Sequence, residues 1–99
     1  MDYRYKVQNA DIDELFKGIL KLESMEECYR FFDDLCTINE LEAFGQRLKV
    51  AKMLCEKRTY HDIEKETGIS AATISKISKS FTLGPGGYQL IIDKLAQEK

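Results

Sequence analysis

The sequence is poor in the residues that mark several classes of protein. It has one histidine, one proline and no tryptophan in 99 residues. No apolar run approaches the roughly 18 residues of a membrane span, and the N-terminal residues lack the apolar segment of a secretory signal. Cys28, Cys36 and Cys55 form no CxxC pair, so neither a disulfide framework nor a zinc site is indicated. We therefore expect one cytoplasmic domain over residues 1–99, with free buried cysteines and without a metal or a membrane partner.

The patterns that accompany catalysis are also missing. The sequence has no Ser/His/Asp or Cys/His arrangement and no cluster of metal-ligating residues. The glycine-rich run at residues 84–87 lacks the following Lys-Ser/Thr pair of a phosphate-binding loop. We therefore expect a protein that is not an enzyme.

The net charge of −2 conceals an uneven distribution along the chain. Residues 1–46 carry five basic and eleven acidic side chains, whereas residues 47–79 carry eight basic and four acidic ones. A local basic patch is enough to attract a polyanion. A solvated helix face would give the same asymmetry, so both interpretations stay open.

Apolar spacing predicts helices along almost the whole chain, and no strand alternation of useful length appears. Residues 11–22 carry one apolar stripe, and Ser-x-x-Glu and Thr-x-x-Glu boxes at Ser24 and Thr37 open a second and a third helix. The third reaches about residue 56, and its apolar positions are Leu41, Phe44, Leu48, Ala51, Leu54 and Cys55. The Gly-Pro run at residues 84–87 is a break before a short last helix. The pattern predicts an all-α fold.

Residues 60–81 have the layout of a helix-turn-helix. Gly68 stands where the chain must turn sharply, and Ser70 is a favourable cap for the second helix. The positions expected to be buried between the two helices are Ile63, Ile69, Ile74 and Ile77. Such a motif places its second helix in the major groove of DNA. An ordinary helical hairpin in a small core is the alternative.

The motifs of residues 37–88 resemble those of the Trp repressor superfamily. E-x-x-x-x-G-x-R at residues 40–47 and TG-x-S-x-x-T-x-S at residues 67–75 occur together at family-like spacing. The closing Gly-Pro-Gly-Gly-Tyr at residues 84–88 is similar to the YerC/YecD branch of that superfamily. The resemblance implies a six-helix fold, an intertwined homodimer, and binding of double-stranded DNA at a palindromic operator, usually to repress transcription.

The resemblance also divides the chain by role: dimerisation helices over residues 11–56, a DNA-reading head over 59–81 and a C-terminal helix over 87–97. Small side chains at the start of the recognition helix allow close approach to thymine methyl groups, and the helix N-terminus suits a phosphate. The predicted DNA-binding residues are Lys57, Arg58, Tyr60, His61, Ser70, Ala71, Ala72, Thr73, Ser75, Lys76 and Lys79.

Four residues, of which three match the family pattern, fall at positions of the family's ligand cavity. Tryptophan-responsive members hold the indole between two arginines; Arg47 matches the first, but Lys76 stands at the second. Ile77 follows it where a small residue is expected, while Thr37 and Ser80 match cavity-lining positions. Lysine stacks poorly and lacks a planar fork for a carboxylate. We therefore expect no cofactor and no response to tryptophan, and leave open another small anionic corepressor.

The predicted helices are short and several have wide apolar faces, which a partner chain would cover. A two-fold dimer would bury the N-terminal stripes and place two recognition helices side by side. The same faces also suit a helical protein-interaction module whose helix-turn-helix is only structural. The two hypotheses differ in whether the purified chain binds DNA in a salt-dependent manner.

Overall fold

Six helices make up most of residues 7–98, which are the residues that this computed structural model describes. They are α1 (Ala10–Ile19), α2 (Met25–Leu35), α3 (Ile38–Cys55), α4 (Tyr60–Thr67), α5 (Ala71–Leu83) and α6 (Gly87–Ala96). No strand occurs within that part of the chain, so the predicted all-α class is confirmed. None of these helices combines the length and the apolar composition needed to cross a membrane.

Polar side chains fix where most of the helices begin. A side-chain oxygen accepts a hydrogen bond from the backbone N–H three residues further on at Asn9, Ser24, Thr59 and Ser70. The box that opens α3 is reciprocal: Glu40 N–H donates to Thr37 Oγ1 (3.1 Å), and Thr37 N–H donates to Glu40 Oε1 (2.8 Å). In the box that opens α2, Glu27 accepts instead from the N–H of Glu23. Each such cap stabilises its helix by about 1 kcal/mol.

Two helix ends differ from the sequence prediction. α1 ends at Ile19 rather than at residue 22, because the N–H groups of Lys21 and Leu22 donate to carbonyls only three residues back. α5 runs to Leu83, two residues past its predicted end. It stops at Gly84, where a Cβ would collide with the carbonyl oxygen of Ser80, so only glycine fits this exit.

The helices belong to two compact units, one ending at Leu41 and the other starting at Glu42. The first contains α1, α2 and the start of α3, and none of its described residues is buried. The second contains the remainder of α3 and α4 to α6. Its buried core consists of Val50, Ala51, Met53, Ile63, Ile74 and Ile77. Leu54, Ile69, Tyr88 and Ile92 pack against this core while remaining partly exposed.

The buried face of α3 differs from the predicted stripe. Of the six predicted positions only Ala51 is buried, while Val50 and Met53 take the other buried places. Apolar residues lie on more than one face of α3, and the core selects the face that meets α4 and α5. The three cysteines are free, as expected, but they are half-buried rather than buried.

Candidate nucleic-acid interface

The turn between α4 and α5 is held by Gly68 and Thr67. Gly68 caps α4 in the left-handed conformation with φ of 76°, which glycine adopts at least cost. Thr67 Oγ1 donates to the carbonyl oxygen of Ile63 (2.7 Å) and accepts from the N–H of Ile69 (3.1 Å). Sequence reasoning alone did not assign Thr67 this role. A threonine directly before a helix-ending glycine is the signal that would have found it.

The core fixes which face of α5 points outward. Ile63 of α4 and Ile74 of α5 have no exposed surface, and Ile77 is also buried. The remaining predicted recognition-helix residues, Ala71, Ala72, Thr73, Ser75, Lys76 and Lys79, are all exposed. The apolar spacing therefore leaves small side chains, hydroxyls and two lysines on the outward face of α5.

Ser70 has its hydroxyl committed to capping α5. Its Oγ accepts from Thr73 N–H (3.3 Å) and lies 3.2 Å from Thr73 Oγ1. The N–H groups of Ala71 and Ala72 lie in the first turn of the helix, where no intrahelical carbonyl can pair with them. What this end of α5 offers an anion is therefore its backbone N–H groups rather than the Ser70 hydroxyl.

Lys57 lies in a tight exit from α3. Its φ is 65°, in the left-handed region that a side chain disfavours. Lys57 N–H donates to Leu54 O and Arg58 N–H donates to Met53 O, both at 3.0 Å, which is the Schellman arrangement. The turn thereby presents an exposed lysine three residues before the start of α4.

Arg58, a predicted phosphate contact, is hydrogen-bonded to Glu66 near the end of α4. Its Nη2 donates to Glu66 Oε1 at 2.8 Å. This bond is the largest cause that raises the pKa of the Arg58 guanidinium and lowers the pKa of the Glu66 carboxyl. Glu66 had no predicted role, because the two residues are eight apart and outside the three- and four-residue spacing of helix pairs.

Tyr60 and His61 occupy the first turn of α4, directly after the Thr59 cap. Both are exposed. They lie on the chain between the Lys57 turn and the core residue Ile63, so the first turn of α4 presents two polar side chains to solvent.

Three of the four residues predicted for a ligand cavity belong to the second unit, and the fourth belongs to the first. The Arg47 guanidinium lies over the Phe44 ring, 5.6 Å from its centroid, while Lys76 and Ser80 are exposed one turn apart on α5. Thr37 belongs to the N-terminal unit and is engaged with Glu40. A groove of about 360 Å³ in the second unit includes none of the four. Among residues 7–98, no group of three or more His, Cys, Asp or Glu residues is placed to hold a metal ion.

This architecture, a capped helix-turn-helix on an all-helical scaffold, defines the class of the protein. The chain belongs to the Trp repressor family, whose model (Trp repressor protein) matches residues 10–96. That family is one of DNA-binding regulators.

Individual relatives cover nearly the whole chain. The chain is 50% identical over 92 residues to YerC of Bacillus subtilis (strain 168), a protein described as uncharacterized, with 93% of this chain and 88% of YerC covered. A crystal structure of a TrpR-like protein from Eubacterium eligens superimposes with a TM-score of 0.88 at 44% identity, covering 95% of this chain and 97% of that one. One from Staphylococcus aureus gives 0.86 at 50% identity, covering 93% and 92%. The Trp repressor-like fold and the resemblance to the YerC branch are thus confirmed.

Proposed function

We propose that this chain is a cytoplasmic, sequence-specific DNA-binding regulator, a repressor that acts as a homodimer on a palindromic operator. The observation that carries the proposal is the outward face of α5, which is exposed along its length while its opposite face is buried in the core. A helix held in this way can enter the major groove without unfolding its support.

The exposed side chains have chemistry suited to both the base edges and the phosphates of a duplex. The methyl groups of Ala71 and Ala72 fit against thymine methyls, and the Thr73 and Ser75 hydroxyls can pair with base edges. Phosphate contacts are assigned by charge and position to Lys57, Arg58, Tyr60, His61, Lys76 and Lys79, with the N–H groups after Ser70.

The homodimer is proposed from apolar side chains that a single chain leaves in water. On α1 and α2 and in the turn after α1 these include Phe16, Leu20, Met25 and Tyr29. A second copy would cover them with the same surface, as two-fold interfaces do. It would also supply a second α5, and two recognition helices read an inverted repeat.

We propose that DNA binding does not require tryptophan. Ile77, where the family's cavity has a small residue, is buried in the same cluster as Val50, Ala51 and Met53 of α3. Lys76 cannot form the planar fork that an arginine offers to a carboxylate. Another small anion near Arg47, Lys76, Ser80 and Thr37 stays the alternative effector.

A protein-interaction module is the second candidate, because the exposed apolar surface is not confined to the N-terminal unit. α6 leaves Leu90, Ile91 and Leu95 between 40% and 56% exposed. Such surface can receive another protein as well as a second copy of this chain. This candidate predicts a specific partner protein and no preference for any duplex.

Selection of tight binders from a random duplex library, at near-physiological salt and without tryptophan, tests the proposal. We expect enrichment of an inverted repeat and an affinity that falls steeply as salt rises. A parallel selection with tryptophan should enrich the same repeat to the same extent. Enrichment only with tryptophan would overturn independence from that ligand, and no enrichment in either selection would favour the interaction module.

Single lysine variants test the assignment of α5. Lys76→Ala and Lys79→Ala should each weaken binding and flatten the dependence of log affinity on log salt by roughly one unit. Lys94→Ala removes the same charge from exposed α6 and serves as the matched control. Circular dichroism should show unchanged helix content. Equal effects of all three variants would contradict this placement of the DNA.

A further inference from the structure

A hydrogen-bonded ion pair lies within the surface proposed to bind phosphates. Arg58 Nη2 and Glu66 Oε1 are 2.8 Å apart, and the two side chains are 35% and 49% exposed. An arginine paired with a carboxylate at this distance presents little net charge to an approaching phosphate. The two side chains are nevertheless accessible enough for another anion to reach the guanidinium.

We propose that Glu66 is an internal counter-ion that competes with a DNA phosphate for Arg58 and so limits the affinity of the head for DNA. The inference rests on the proposed function. Carboxylate and phosphate oxygens offer the guanidinium fork equivalent acceptors, so either can occupy the donors of Arg58. In the free protein Glu66 holds Arg58, and in the complex a phosphate takes its place.

The backbone around Arg58 is held without this ion pair. Arg58 N–H donates to Met53 O at 3.0 Å, and Asp62 N–H donates to Thr59 Oγ1 at 3.1 Å. The exit from α3 and the start of α4 therefore keep their shape when the Arg58 side chain moves. A partly exposed pair is also weak, because water screens it, so the exchange costs little.

The charges near the Arg58–Glu66 pair are of both signs. Lys49 lines the same groove as Arg58 and Glu66, and it acts with Arg58 to lower the pKa of Glu66. The negative charges of Asp62 and Glu56 also act on Arg58 and raise the pKa of its guanidinium. Glu66 is the acid that hydrogen-bonds Arg58 directly, so its removal frees the guanidinium.

The decisive experiment compares Glu66→Gln with Glu64→Gln on the duplex selected above. Both residues are exposed and both variants remove one negative charge from α4, but only Glu66 is hydrogen-bonded to Arg58. We expect Glu66→Gln to bind about fivefold more tightly, with a salt dependence steeper by roughly one ion. Glu64→Gln should change affinity by less than about twofold and leave the salt slope unchanged. In an Arg58→Ala background, the advantage of Glu66→Gln over Glu64→Gln should disappear.

Three results would overturn the inference: Glu66→Gln matching Glu64→Gln, Glu66→Gln binding more weakly, or its advantage surviving in the Arg58→Ala background. Glu66→Asp keeps the charge and shortens the side chain, so it should give a smaller gain in affinity even if Glu66→Gln disturbs folding. If the wild-type protein binds no duplex, the proposed function itself is wrong. If the wild-type protein binds DNA and the two glutamine variants have equal affinity, only the role of Glu66 as a counter-ion is wrong.

Discussion

Residues 42–98 and residues 7–41 are both helical, yet they differ in what they bury. Residues 42–98 have a core in which Val50, Ala51, Ile63 and Ile74 are fully enclosed. Residues 7–41 have capped helices and a clear apolar stripe but no buried residue, and Leu20 is 83% exposed. Local helix signals are therefore equally strong in both segments, while only one of them has interior packing.

The difference shows what each segment needs. Capping and helix propensity stabilise a short helix only marginally, and most helical stability in proteins comes from packing of the apolar face. The helix-turn-helix obtains that packing from α3. The stripes of α1 and α2 require a second surface, for which the second copy of the chain in the proposed homodimer is suited.

The largest effect is expected from a charge placed on the N-terminal stripe. Phe16 is 56% exposed, so Phe16→Asp would be nearly neutral in a protein that stays monomeric. At a buried dimer interface the unpaired carboxylate costs about 3–5 kcal/mol. We therefore expect Phe16→Asp to be a monomer by analytical ultracentrifugation and to lose most of its helical signal from α1 and α2.

Phe16→Leu is the matched control, because it preserves the apolar character of the position. This variant should remain dimeric. Dimers of unchanged affinity in Phe16→Asp would show that the stripe of α1 is not part of a self-association surface.

The next largest effect is a difference in the free energy of unfolding when one large apolar side chain is truncated in each segment. Ile63→Ala leaves a cavity in the core and should lower the free energy of unfolding by about 3 kcal/mol. In a monomer, Leu20→Ala should change it by less than about 0.5 kcal/mol. Urea denaturation of the Phe16→Asp monomer carrying each substitution measures both values, and similar losses would contradict the contrast.

The sequence was most informative where a feature depends on adjacent residues. Gly68 and Ser70 define the turn through their own conformational and capping preferences, so the helix-turn-helix could be located from residue order alone. Val50 and Met53 were missed because α3 has more than one apolar face, and tertiary packing decides which is enclosed. The Arg58–Glu66 bond was missed for a related reason, since it joins a residue just before α4 to one near the end of that helix, eight positions apart.

A smaller effect is expected at the exit from α3, where stability and DNA binding should respond in opposite directions. Lys57 adopts a left-handed conformation that costs a side chain about 1 kcal/mol or more. Lys57→Gly should therefore raise the free energy of unfolding by about that amount. Loss of the charge should weaken DNA binding if Lys57 contacts a phosphate.

Lys57→Ala separates the two contributions, because it removes the charge but keeps a Cβ. It should weaken DNA binding as much as Lys57→Gly without the gain in stability. Urea denaturation and a binding titration on the same samples provide both measurements. Unchanged affinity in both variants would remove Lys57 from the proposed contact surface.

The smallest effect concerns pH and involves one carboxyl in each segment. Hydrogen bonds from Thr37 lower the pKa of Glu40, and the bond from Arg58 lowers the pKa of Glu66. A carboxyl whose pKa is lower in the folded state binds fewer protons there than in the unfolded chain. Its contribution to stability is thus present above the unfolded pKa near 4.5 and is lost as pH falls through the folded pKa.

Urea denaturation of the wild type between about pH 7 and pH 3 should therefore show a decline in stability that Glu40→Gln and Glu66→Gln each reduce slightly. Both groups are solvent-exposed, so screening keeps each contribution small. Glu64→Gln leaves both hydrogen-bonded carboxyls in place and should retain the wild-type decline. The comparison between the two segments is sharpest in the Phe16→Asp monomer. If Glu40→Gln changes the pH dependence of stability only in the dimer, while Glu66→Gln changes it equally in dimer and monomer, then the cap at Glu40 contributes to stability only when the partner chain is bound.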